Sequence, residues 1–471
     1  MILIKNYYIC THLYICLTET ETNMGQRASF STKLGVIAAT AGSSIGLGNI
    51  WRFPYETGQN GGAAFILIYI VCVLLLAMPV MIAEFVIGRG SRTNASHAFN
   101  KLAPGSWWKL IGYICISAPV IIVGFYFVIS GWTLEYVVQS LTPGGMTAQS
   151  AEAYSAEFNQ FIASPLKPLV WVIIFICINH IILMRGVNSG IEKASNILMP
   201  VLFLILLIFC IRSIFLPGFD EGMKFLFMPD FSKITPNVVL RAMGQAFFSM
   251  SVGMGILITY ASYYAKETNL TRVAATVATF DTLVAILAGI IIFPTVFTFG
   301  ISPSQGPELI FITLPNLFAQ MQLGWLWSSL FFVLVSLAAL TSTISLSEVS
   351  IAFLQDARGY SRHKATAIMT GIYIVLASLC SLSFGALNGI RIFGLTIFDF
   401  CDFLSSNILL PAGGLFISIF VGWKIDQKFV RRELYNGSDS AGWYYKPLLF
   451  CLRFIAPISI FLIFLSGIHL L

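Results

Sequence analysis

The stretch AGSSIGLGNIWRFPYETGQNGG, residues 41–62, places six glycines, two asparagines and an arginine inside a chain otherwise built for lipid. Of its 471 residues, 57% are hydrophobic and 10% charged, and the mean hydropathy is +0.84. This is the composition of a polytopic, all-α membrane protein. In hydrocarbon every backbone N–H and C=O must be satisfied, so a helix interrupted at membrane depth survives only where protein, water or a ligand takes over the freed groups. An interruption therefore marks a candidate site. Gly42, Gly46 and Gly48, around Ser43 and Ser44, let the first span unwind near its middle into two half-helices. The inner half ends in free carbonyls, which suit a hard cation; the outer half begins with free N–H groups, which suit a carboxylate.

A bilayer core of about 30 Å needs about 20 apolar residues per helix. Runs of that kind begin near residues 34, 62, 109, 167, 194, 237, 273, 325, 366, 392 and 447, which gives about eleven spans. Basic residues set the orientation. Arg27 and Lys33, Arg89 to Lys109, Arg185 and Lys193, Lys266 and Arg272, Arg358 to Lys364, and Lys424 to Arg432 all fall on one side if the N-terminus is cytoplasmic. The opposing loops carry acids such as Glu152, Glu157, Asp220, Glu221 and Asp230. An odd number of spans then leaves the C-terminus outside.

The net charge of +6 is spread over short loops and forms no stripe, which argues against a nucleic-acid partner. Nine cysteines, Cys72, Cys115, Cys177 and Cys210 among them, stand in apolar runs without a CxxC pair or a histidine at ligand spacing. Neither a zinc site nor a disulfide framework is expected. The N-x-S/T triplets at Asn94, Asn269 and Asn436 fall on the cytoplasmic side and read as chance matches. Residues 1–24 have an apolar run broken by His12 and no small-residue cleavage site, so they read as a leader or cytoplasmic tail, with Met24 an alternative start.

A fold built from inverted repeats brings a second break at the corresponding place in its second half. The sixth span supplies one: GQAFFSMSVGMGILITY, residues 244–260, has Gly253 and Gly255 with Ser249 and Ser251 at comparable depth. Residues 25–471 then read as a single membrane domain. Repeat one covers about 34–216, repeat two about 237–422, and an extra helix about 447–470.

From about residue 25 onward the chain resembles the neurotransmitter:sodium symporter family, whose prototype is the bacterial leucine transporter. The resemblance rests on GSSIGLGNIWRFPY and QNGGAAF in and after span one, MIAEFVIGR ending span two, and GFYFVISGWTL in span three. It continues with GIEKASNILMP entering span five, GQAFFSMSVGMG in span six, LTSTISLSEVSIAFLQD in span eight and DFCDF in span ten. Transporters of this kind exemplify half-helix ends that hold a cation and a carboxylate.

The resemblance implies two sodium sites and no organic cofactor. The first uses the Ser44 carbonyl, the side chains of Asn49, Ser249 and Asp281, and the substrate's own carboxylate, all oxygen or amide ligands suited to a hard cation. The second uses the carbonyls of Gly42, Ile45 and Ala338 with the hydroxyls of Thr341 and Ser342. Ala338, Thr341, Ser342 and Ser345 recur at i, i+3, i+4 and i+7, one face of a helix. Asp281 departs from the pattern, because the prototype and the animal chloride-dependent members carry an amide there. A carboxylate ligand can supply the negative charge of chloride, so chloride-independent transport is expected. The prototype's compensating glutamate, four residues on, is here Ala285.

The substrate carboxylate is expected on the N–H groups of Leu47 and Gly48 and the Tyr126 hydroxyl, with its amine on carbonyls near Ser43, Phe248 and Ser251. Animal monoamine carriers have an aspartate where this chain has Gly46, so the empty space favours an α-amino acid. The side-chain pocket matches Ile122, Phe248, Met254, Ser342, Ser345 and Leu346, a lining for neutral, apolar or aromatic side chains, with flexible Met254 broadening the choice. Arg52 with Asp402 matches the family's outer gate and Arg27 with Asp356 the inner one. Gly190 and Pro200 match a spacing linked to local unwinding of span five, and the buried acids Glu84 and Glu348 are expected to support structure or gates.

The implied function is sodium-coupled import of neutral amino acids by alternating access, in a multi-pass protein of a bacterial inner membrane, as monomer or homodimer. A substrate sensor or channel on the same scaffold, and a proton-coupled permease kept open by Asp281, are the other readings. An enzyme is not expected: His180 stands alone, and no HExxH occurs.

Overall fold

A computed structural model describes residues 29–144, 151–300, 309–436, 442–468 and 470. Among these residues the chain is helical, with only an isolated bridge between Ile392 and Leu395 outside the helices. Nine continuous helices among the described residues are long and apolar enough to cross a bilayer: Ala63–Ser91, Lys109–Leu141, Lys167–Met184, Val187–Ile214, Leu270–Thr298, Gly324–Arg358, Arg362–Leu382, Ile397–Lys424 and Tyr445–Gly467. Span one is the pair Lys33–Ser44 and Gly48–Gln59, bent by 52° at its break. Span six is also interrupted, into Pro236–Ser249 and Ile256–Ala261. The eleven-span count of the sequence requires both interrupted segments to be counted as crossings.

Local chemistry starts these helices where they start. Thr32 Oγ1 accepts from the Gly35 N–H at 2.9 Å to open span one. Thr235 caps span six ahead of Pro236, Asn269 caps span seven, and Ser361 caps span nine. Span five differs from a regular helix at Val187–Glu192, a π-helical turn around Gly190, whereas Pro200 lies inside the following α-helix.

Spans three and eight are buried over most of their length and pack on each other, while span eleven lies at the periphery. Span one packs against spans five, seven and eight, and the second half of span six against spans two and eight. Both interruptions therefore sit in the protein interior, the one place at membrane depth where unpaired backbone groups find partners.

Two buried acids fix this arrangement. Glu84 of span two accepts from the Gly253 N–H at 2.6 Å, inside the interruption of span six. Glu348 of span eight accepts from Arg362 Nη1 and Nη2 at 2.8 and 2.6 Å and from the Tyr263 hydroxyl at 2.7 Å. The inner end of span one is tied to span five, where the Glu192 carboxylate accepts from the Ser31 and Thr32 N–H groups and the Thr32 hydroxyl. Phe30 packs among Tyr260, Tyr263 and Tyr264 and closes that end with aromatic rings.

Candidate functional site

The first span breaks where its glycines cluster. Ile45 is extended at φ −73°, ψ 104°, and its N–H bonds Ala41 O at 2.7 Å, the last bond of the inner half-helix. The outer half resumes as a π-turn at Gly48–Arg52. In span six the break runs through residues 250–255, with Ser251 at φ 53°, Gly253 at φ 88° and Gly255 at φ 71°. Glycine suits the latter two positions by conformation and by space, since a Cβ on Gly253 meets Leu410 O at 2.5 Å and one on Gly255 meets Cys115 O at 2.8 Å. The Ser251 hydroxyl donates to Ser43 O at 2.9 Å, joining the two breaks directly.

A cavity of about 340 Å³ lies between them. Ser43, Ser44, Leu47 and Gly48 of span one, Ile122 and Tyr126 of span three, Phe248, Ser249, Ser251 and Met254 of span six, and Ser342 and Leu346 of span eight line it. The Leu47 N–H donates to the Tyr126 hydroxyl at 3.2 Å. Gly46 leaves necessary room, because a Cβ there collides with Ser342 Oγ and lies 3.1 Å from the Tyr126 oxygen. Ser345 behaves differently from expectation: its hydroxyl donates to Thr341 O at 2.9 Å and accepts from Tyr260 at 2.8 Å, and it does not line the cavity. It shares the helical face of Ser342 but lies about one turn deeper, where span six covers it.

Beside the cavity, Asn49, Ser249 and Asp281 converge. The Asp281 carboxylate accepts from Asn49 Nδ2 at 2.8 Å, Ser249 Oγ at 2.8 Å and the Tyr69 hydroxyl at 3.1 Å, all of them buried. Asn49 Oδ1 meanwhile accepts from the Gly46 N–H at 3.1 Å. In this arrangement the amide N–H of Asn49 points at the Asp281 carboxylate, and a turn about χ2 exchanges its N–H groups with its oxygen. Ser44 Oγ is buried without a hydrogen-bond partner. On the other side of the break the Thr341 hydroxyl lies 3.0 Å from Ala338 O and 3.5 Å from Ile45 O, and Gly42 abuts the Thr341 side chain.

Two contributors lie beyond the sequence reading. Tyr69 and Gln245, whose Nε2 donates to Gly48 O at 3.2 Å, hold the cluster and the outer half-helix. A tyrosine hydroxyl inside FILIYIVCV is the signal for the first, since a polar atom in an apolar span needs a partner.

The expected outer pair is not closed. Arg52 lies over the Phe248 ring, 4.4 Å from its centroid, while Asp402 accepts from Ser406 Oγ at 2.9 Å; both face the cavity mouth with Trp51, Tyr55 and Asn407. They form no ion pair here, and Asp402 is exposed while Arg52 is half-buried. For the inner pair, Arg27 lies outside the described residues. Asp356 accepts from the Asn94 N–H and side-chain amide, each at 2.9 Å, and thereby holds the loop after span two.

The pattern of the Sodium:neurotransmitter symporter family matches residues 27–158 and 160–471. The chain belongs to that family. It is 40% identical to YhdH of Bacillus subtilis (strain 168), described as an uncharacterised sodium-dependent transporter, across 94% of this chain and 98% of that protein. A second sodium-dependent transporter, from Haemophilus influenzae, is 36% identical over 95% and 99% of the two chains. Among solved structures, the crystal structure of MhsT in complex with L-phenylalanine is similar at a TM-score of 0.85 and 44% identity, covering 94% of this chain and all of that one. The family's members are membrane transporters rather than enzymes, and the two bacterial relatives are described as sodium-dependent.

Proposed function

We propose that this chain is a sodium-coupled symporter that imports neutral α-amino acids with apolar or aromatic side chains, without a requirement for chloride. The observation that carries the reading is the adjacency, at one broken helix, of a backbone N–H paired with a tyrosine hydroxyl, an apolar cavity, and a buried carboxylate cluster. The Leu47 and Gly48 N–H groups with Tyr126 take the substrate carboxylate, and carbonyls at Ser43, Phe248 and Ser251 take the amine. Ile122, Phe248, Met254, Ser342 and Leu346 surround the side chain, which accords with the phenylalanine bound by the similar MhsT.

The first sodium lies among Ser44 O, Asn49 Oδ1, Ser249, Asp281 and the substrate carboxylate, after Asn49 turns its amide. The second lies among the Gly42, Ile45 and Ala338 carbonyls with Thr341 and Ser342. The Thr341 hydroxyl already reaches toward two of those carbonyls, the contacts a cation replaces. Substrate and sodium share the carboxylate, so each raises the other's affinity. Closure follows when Arg52 leaves Phe248 for Asp402, and the inner seal of Phe30, the tyrosines and Glu192 opens in the other half of the cycle. In a bacterial inner membrane this orientation puts Arg52 and Asp402 outside and the N-terminus in the cytoplasm.

The test compares equilibrium binding of L-phenylalanine, L-leucine and phenethylamine to purified protein in sodium and in potassium. Binding of the amino acids in sodium alone, with none of the carboxylate-free amine, is expected. Equal binding of phenethylamine overturns the placement of the carboxylate.

A further inference from the structure

Spans nine and ten carry a pair of thiols that neither sodium nor substrate uses. Cys380 Sγ and Cys401 Sγ lie 3.9 Å apart. Cys380 stands two residues before the end of Arg362–Leu382, and Cys401 lies in the opening helix Ile397–Phe403. Both are free, Cys380 buried and Cys401 partly exposed. A disulfide needs an S–S distance of about 2.05 Å, so closing this contact asks for about 2 Å of movement, shared between two side chains. The backbones are already held together around it: Phe398 N–H donates to Ser383 Oγ at 3.4 Å, and the rings of Phe384 and Phe398 pack at 5.0 Å.

The place of this pair gives it consequence. Cys401 immediately precedes Asp402, and both Phe398 and Asp402 line the mouth of the substrate cavity. Span nine packs on spans three and four, whereas the first turns of span ten carry the carboxylate that has yet to meet Arg52. A covalent link at Cys401 would fasten the segment that carries Asp402 to the end of span nine.

We propose that Cys380 and Cys401 form a reversible redox site beside the outer gate, that its reactant is an external disulfide, and that its oxidation arrests the closing movement of span ten. The chemistry is thiol–disulfide exchange. The more exposed Cys401, as thiolate, attacks one sulfur of the external disulfide R–S–S–R; its S–S bond breaks and one R–S⁻ departs. Cys380, as thiolate, then attacks the Cys401 sulfur and expels the second R–S⁻. Two protein thiols are oxidised to one disulfide, and the external disulfide is reduced to two thiols that take up the two protons. The gating consequence rests on the transport reading; the thiol chemistry does not.

The experiment treats detergent-purified, full-length protein with oxidised glutathione, maps disulfides by mass spectrometry of unreduced peptides, and then reconstitutes the protein for sodium-driven uptake. A linked Cys380–Cys401 peptide is expected. Uptake should fall by about tenfold, the signature of a blocked gating step, and return after reduction with a phosphine. C401A should form no link and keep its uptake after the same treatment, and C380A serves as the second variant. Absence of the linked peptide overturns the site, whatever uptake does. A linked peptide with unaltered uptake overturns the gating claim. Reduced wild-type protein that fails to accumulate substrate counts against the transport reading and leaves the peptide map to decide the redox site.

Discussion

Replacing Asp281 with asparagine removes one charge while keeping the shape of the side chain. Asp281 is fully buried in span seven and accepts from Asn49, Ser249 and Tyr69. The two hydroxyls can rotate to accept from the new amide, so the fold is expected to survive, which thermal unfolding checks. The loss falls on sodium. Two unit charges 4 Å apart at an effective dielectric of about 20 attract by about 4 kcal/mol, and the burial cost of the carboxylate offsets part of that. If half survives, the net of about 2 kcal/mol is about 30-fold in sodium affinity. The assay is the sodium concentration giving half-maximal uptake into proteoliposomes, measured in gluconate and in chloride. Asp281→Asn should need about 30-fold more sodium in gluconate, with part of the loss recovered by chloride, which returns a negative charge to the site. An unchanged sodium dependence in gluconate, in a variant that folds normally, refutes the assignment of Asp281 as a sodium ligand.

Three other substitutions read separate parts of the site. Gly46→Ala drives a methyl group into Ser342 Oγ and against the Tyr126 oxygen; overpacking of about 1–3 kcal/mol should weaken L-phenylalanine in equilibrium binding by about 5-fold to 150-fold. Tyr126→Phe removes the hydroxyl beside the Leu47 N–H and should cost about 1–3 kcal/mol of substrate binding, seen as a raised KM at a nearly constant thermal midpoint. Arg362→Ala strands the fully buried Glu348 carboxylate and should destabilise the protein by about 3–5 kcal/mol, read by chemical or thermal unfolding. Normal stability of that variant would show the pair to be dispensable.

The interruptions were legible because they follow from a conflict in the residues themselves. Glycines and small polar side chains at Gly42–Asn49 and Ser249–Gly255 oppose helix formation in a medium that punishes every free backbone group. The convergence of Asn49, Ser249 and Asp281 was reachable through family resemblance, and the structure brings these three together. Ser345 was misplaced because helical spacing identifies a face, while the depth at which a neighbouring helix covers that face depends on Tyr260 from another span. The open Arg52–Asp402 pair was not legible either, since a gate has two arrangements and one sequence encodes both. The amide orientation of Asn49 is set by Asp281 of span seven, and the thiol contact between Cys380 and Cys401 by the packing of two successive spans, neither of which a local pattern records.

The central claim is that sodium and a neutral amino acid move together through the site between the two broken helices. Its most direct test is uptake of radiolabelled L-phenylalanine into proteoliposomes under an inward gradient of sodium, potassium or protons, each with chloride or gluconate outside. Accumulation above equilibrium is expected under the sodium gradient alone, equal in the two anions. Accumulation under the proton gradient without sodium, or binding that never becomes accumulation, would contradict it.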